Sequence, residues 1–78
     1  MRVQVRYFAR LRELKSCTEE EIALDAPVSV AALYAQLFPA GPNGTLPVMY
    51  AVNQTYVAPA HPLSDGDEVA FIPPLGGG

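Results

Sequence analysis

The sequence predicts an α+β fold, with a mixed sheet of about five strands packed on one main helix. Three observations carry that expectation. Arg2 to Phe8 alternates polar and apolar residues with period two, as a half-buried strand does. Val30, Leu33, Tyr34 and Leu37 recur at helical spacing, and no other stretch of comparable length does so. The remaining apolar runs are short and are separated by loops dense in proline, glycine and asparagine.

In the first strand Val3, Val5 and Tyr7 point inward. Ala9 to Lys15 is rich in helix formers and predicts a short helix with Leu11 and Leu14 as its apolar side. Ser16, Cys17 and Thr18 make a turn. Glu19 to Leu24 reads as a second strand with Ile22 and Leu24 on one face. Glutamates 19–21 form a solvated edge, where like charges discourage stray strand pairing. Ser29 is a good N-cap for the main helix, Val30 to Phe38, because its hydroxyl can accept from a free backbone N–H. Pro39 ends that helix, and residues 39–47 form a loop. Val48 to Val52 is a third strand. Asn53 and Gln54 turn a hairpin into Thr55–Val57, although the favoured Asn-Gly pair is missing. Pro59 to Gly66 is a loop with a single turn at Pro62–Ser64, and Asp67 to Ile72 is the last strand. A compact sheet clasping one helix in this order is the β-grasp, or ubiquitin-like, topology. The expected organisation is one domain over residues 1–72 and a Pro-Pro/Gly-rich tail over 73–78.

Half of the 78 residues are hydrophobic and 17% are charged, so the chain can build a core. Its expected stability is about 4–12 kcal/mol. One cysteine excludes an internal disulfide framework and a multi-cysteine metal site. The strand pattern starts at Met1, so no signal or transit peptide is expected. No apolar run approaches the roughly 20 residues of a membrane span, and the expected location is the cytoplasm. All five basic residues lie in the first fifteen positions, while the net charge is −3. That balance argues against a nucleic-acid binder. The acidic remainder is either an ordinary solvated surface or a face that steers a basic partner.

The residues that usually carry chemistry read as structural here. His61 lies beside Pro62 with no metal-ligand spacing around it. Asp65-Gly66-Asp67 lacks the longer ligand series and bidentate glutamate of a calcium loop, and suits a tight turn. Cys17 has no identifiable base nearby. The glycines at 41 and 44 lack the lysine and strand-loop-helix setting of a phosphate loop. The chain therefore encodes no evident active site or metal site of its own.

The C-terminus is different. Three of the six glycines are the last three residues, Gly76, Gly77 and Gly78. Glycine loses more conformational entropy on ordering than any other residue, so no fold requires such a tail. It makes sense if the free carboxylate of Gly78 is the working group. A peptide without side chains can enter a narrow channel in another protein. Glycine also has no stereocentre to epimerise once its carboxylate is activated. Residues 75–78 can reach about 13–14 Å when extended. Near the base of this tail, Phe8, Tyr56 and Ile72 fall on the solvent sides of their strands. Lone exposed apolar residues are ordinary. Gathered on one face they would form an interface patch, and the tail gives such an interface a purpose.

These segments resemble a known family, the small subunit of molybdopterin synthase (MoaD-type sulfur carriers). The resemblance rests on Tyr7-Phe8-Ala9-Arg10-Leu11-Arg12-Glu13-Leu14, on Ala51-Val52-Asn53-Gln54-Thr55, and on His61 through Pro74 followed by Gly77-Gly78. Gly76 departs from the pattern, since the family usually has a small side chain there. The resemblance implies that an E1-like activating enzyme uses ATP to adenylate Gly78. A sulfur donor then converts the acyl-adenylate to a thiocarboxylate, and no cofactor is bound. It further implies docking on the large synthase subunit, in a complex of two small and two large subunits. Sulfur passes there to a cyclic pyranopterin precursor, forming the dithiolene of molybdopterin. By family position Phe8, Tyr56 and Ile72 match partner-contacting sites, with Arg12 beside them. Rival readings are a thiamin-type or tRNA-thiolation sulfur carrier, a ubiquitin-like protein modifier, and a plain interaction domain.

Overall fold

The computed structural model describes residues 1–39 and 47–73. In chain order the elements are β1 (Arg2–Tyr7), α1 (Ala9–Lys15), β2 (Glu19–Ala23), α2 (Val30–Leu37), β3 (Met49–Val52), β4 (Thr55–Val57) and β5 (Glu68–Ile72). The five strands form one sheet in the order β2-β1-β5-β3-β4. The central pair, β1 and β5, is parallel, and every other pairing is antiparallel. This is the expected β-grasp arrangement, with the first and last strands as neighbours. Of the anticipated tail only Pro73 is described, so Gly76, Gly77 and Gly78 lie outside the described residues. Most of the anticipated 39–47 loop does too.

The sheet has one dry face. Val3, Val5 and Tyr7 from β1 and Val69 and Phe71 from β5 are buried there against Val30, Leu33 and Tyr34 of α2. Aromatic rings fill the space near the end of α2. Tyr34 packs 5.0 Å from Phe71 and 5.2 Å from Phe38, while Phe38 meets Tyr7 edge-on at 5.7 Å. Such tilted and T-shaped pairs suit the quadrupoles of the rings. Lys15 lies over the Phe38 ring at 5.1 Å, tying the end of α1 to the end of α2. Ser29 caps α2 as anticipated, its Oγ accepting from the Ala32 N–H at 3.1 Å.

Three expectations need correction. Leu14 does not share the buried side of α1 with Leu11; it is 65% exposed. The two-turn helix sits at the end of β1 and inserts one side chain, and no second element among the described residues covers Leu14. Pro62–Ser64 forms no turn. Pro62 bridges to Ser29, and the backbone N–H of Leu63 donates to the Val28 carbonyl. That pairing sends Leu63 into the core, which a helical turn would not do. Glu20 is not simply part of a solvated edge. The period of two puts it on the same side as Ile22, and it accepts a 2.6 Å hydrogen bond from the Tyr7 hydroxyl. Burial, and then this carboxylate, push the Tyr7 pKa far above its usual value.

Candidate functional site

The outer face of the sheet carries the site. Strand register builds it, because side chains in register across neighbouring strands stand side by side. Arg6 of β1 pairs with Ala70 of β5, Ala70 with Ala51 of β3, and Ala51 with Tyr56 of β4. The middle of this row is therefore two alanines, and the sheet is low there. Phe8 and Ile72 rise at one end, where β1 and β5 finish. Glu68 and Gln54 stand at the other, where β5 begins and the hairpin turns. The result is a groove of about 230 Å³. Its lining combines the apolar side chains of Phe8, Ala51, Ala70 and Ile72 with the polar groups of Arg6, Gln54, Tyr56 and Glu68.

Local backbone geometry sets both ends. Phe8 is extended (φ −125°, ψ 150°), and Ala9 turns at once into the left-handed region at φ 49°. The chain thus leaves β1 sharply and Phe8 remains at the rim, 40% exposed. At the opposite end Asn53 and Gln54 have φ 51° and 69°. Two successive positive values make the primed hairpin turn that matches strand twist, here without glycine.

The structure brings Phe8, Tyr56 and Ile72 together as the walls of this groove. Arg12 is exposed on α1 and is not among the lining residues. The guanidinium in the groove belongs to Arg6. Sequence reasoning placed Arg6 on the outer side of β1 but assigned it no role. Its position in the groove depends on Ala70 and Ala51 being its small neighbours across two strands, which only register reveals. Among the described residues the one ion pair is Arg2–Glu21 at 2.7 Å, so Arg6 presents an unpaired charge. That exposed pair contributes little to stability.

The other flagged residues serve the scaffold. Asp65 accepts from the Arg2 N–H and Asp67 from the Ser64 N–H, each at 2.8 Å, while Gly66 takes φ 86° between them. Asp65 thus ties the loop to the start of β1, while Asp67 closes the loop on itself and holds the Asn53 amide. The His61 carbonyl accepts from the Val30 N–H at 2.9 Å, satisfying a free donor at the start of α2. Cys17 is half-buried against the core. Among the described residues no group of three or more metal-ligating side chains occurs, and no helix is long and apolar enough to cross a membrane.

Comparison with known proteins is consistent across sequence and structure. A family model described as the ThiS family matches residues 5–78. A molybdopterin synthase sulfur carrier subunit of Escherichia coli (strain K12) is 42% identical, covering 97% of this chain and 99% of that protein. A solved Pyrococcus furiosus structure, assigned as molybdopterin converting factor subunit 1, superposes with a TM-score of 0.76 at 33% identity. The match covers 96% of this chain and 99% of that one. A chain of a Helicobacter pylori complex of subunits 1 and 2 of molybdopterin-converting factor gives a TM-score of 0.64 at 26% identity, over the full length of both chains.

Proposed function

Because the chain belongs to the ThiS family, we propose that it is a sulfur carrier for molybdopterin synthesis whose working atom sits on Gly78. The observation that carries this reading is full-length similarity to a molybdopterin synthase sulfur carrier subunit. A carboxylate is a poor electrophile. An E1-like enzyme spends ATP to place adenylate on it, and pyrophosphate leaves. Sulfide released by the donor attacks the acyl carbon, the bond to AMP breaks and AMP leaves with the electron pair, and Gly78 ends as a thiocarboxylate. A thioacid is largely ionised at neutral pH, and sulfur anions are the reactive nucleophiles. The carrier then docks on the large synthase subunit, two of each forming the complex, and delivers sulfur for the dithiolene. The chain's own part is recognition and delivery, and catalysis belongs to its partners in the cytoplasm.

The groove supports the docking step. Ile72 is at once a wall of the groove and the last residue of β5, from which the chain continues to Gly78. A partner gripping Phe8, Tyr56 and Ile72 would hold the base of the tail while its end reaches inward. The Helicobacter pylori complex supports a second subunit as that partner. Intact mass spectrometry tests the chemistry after incubation with ATP, a matching activating enzyme and a sulfur donor. The expected product has one oxygen replaced by sulfur, and deletion of Gly78 abolishes it. An unchanged mass, with an enzyme proven active on another carrier, would refute the reading.

A further inference from the structure

The turn at one end of the groove contains a conformational choice that the fold alone does not explain. Both Asn53 and Gln54 adopt left-handed backbone (φ 51° and 69°). Asn53 is suited to this, because short amides tolerate the region and hydrogen-bond locally. Its side chain does so: Oδ1 accepts from the Glu68 N–H and Nδ2 donates to Asp67, both at 3.0 Å. Gln54 has no such compensation. It is not one of the residues that favour the left-handed region, and its amide makes no hydrogen bond among the described residues. The second position of this turn is where glycine serves best. Yet the Gln54 side chain is exposed and lines the groove, as Arg6 and Glu68 do.

We infer that Gln54 is a specificity-determining residue of the docking surface, kept at a strained position because its amide reads the partner. This inference rests on the docking reading above. A neutral amide offers one acceptor and two donors and carries no charge. It fits a peptide-type donor–acceptor pair on the large subunit, at the edge of the apolar patch that covers Ala51 and Ala70. Ala9, left-handed next to Phe8, sets the opposite rim in the same way. The groove is thereby preorganised at both ends before a partner arrives.

The test is Gln54→Gly, measured for thermal stability and for calorimetric affinity to the large subunit. Glycine relieves the left-handed backbone but loses more chain entropy on folding, so the net rise in the melting midpoint should be about 2–6 °C. Affinity should nonetheless fall about 5–10-fold, as expected for one lost interfacial hydrogen bond. Stability and affinity moving in opposite directions is a result that a merely structural turn residue would not produce. Phe8→Asp, measured alongside, separates the two layers of the argument. If Phe8→Asp weakens binding and Gln54→Gly does not, the role of Gln54 is overturned and docking stands. If neither variant changes the affinity, or the wild-type chain does not bind, the docking reading fails and this inference fails with it.

Discussion

Replacing Phe8 by aspartate should break docking while leaving the fold in place. Phe8 is 40% exposed in the free chain. A phenylalanine offers about 150–250 Å², so roughly 60–100 Å² remains for a partner to cover. At about 25 cal/mol per Å² this is worth about 1.5–2.5 kcal/mol, or roughly 10–70-fold in Kd. Phe8→Ala should lose that much. Phe8→Asp should lose about 100-fold or more, because the partner must also desolvate an unpaired carboxylate. The effect on folding is limited by position. Phe8 is the N-cap of α1 and provides no side-chain cap bond. Aspartate is among the best N-cap residues and returns about 1 kcal/mol there, against an upper limit of about 2–4 kcal/mol for the apolar cover lost. The core lies on the other face of the sheet, with Tyr7 and Phe71 untouched. Calorimetry against the large subunit, with a melt by circular dichroism on each variant, checks both halves. A folded Phe8→Asp protein with wild-type affinity would refute the assignment of this face.

The terminal placement of the chemistry predicts that one residue added after Gly78 abolishes sulfur loading; normal loading of the extended chain, seen by intact mass, would sink the carrier mechanism. Tyr7→Phe removes the donor to Glu20 and should cost about 1–2 kcal/mol at pH 7, read from urea titration. The pH response has a definite sign. Above pH 10, the ordinary tyrosine value, and below its raised folded pKa, Tyr7 keeps a proton that the unfolded chain has lost. Its contribution is full below pH 10 and declines as pH rises toward the folded value, by about 1.4 kcal/mol per pH unit. Tyr34, also raised by burial, acts in the same direction. The alkaline limb of the stability curve should therefore be shallower in Tyr7→Phe, and an identical slope would contradict the buried hydroxyl. Ser29→Ala removes the cap of α2 and should cost about 1 kcal/mol, lowering the melting midpoint by about 4–8 °C.

Much of this molecule is legible in its residue order. Period-two alternation in Arg2–Tyr7 and Glu68–Ile72 determines which side chains face the core, because the pleat is local geometry. Helical spacing in Val30–Leu37 and the hydroxyl of Ser29 locate the main helix for the same reason. The outward placement of Phe8, Tyr56 and Ile72 follows from those periods, and so does the suspicion that they form a patch. The glycine tail speaks through composition alone.

What the sequence left open is what depends on residues far apart in the chain. Register across β1, β5 and β3 is set by the packing of a whole sheet, and it alone aligns Arg6, Ala70, Ala51 and Tyr56 into a groove with a low floor. It brings Arg6 into the groove, with Arg12 outside it. The exposure of Leu14 reflects the lack of a covering element beyond α1 among the described residues, which helical spacing does not report. The Tyr7–Glu20 hydrogen bond joins residues 13 positions apart. Pro62 pairs with Ser29 across a longer gap and so becomes extended rather than helical. Side-chain periodicity is a property of a few neighbouring residues, so it survives in one dimension. Register, rim geometry and the engagement of a charge are properties of contacts between distant segments, and these are settled only when the sheet closes on its helix.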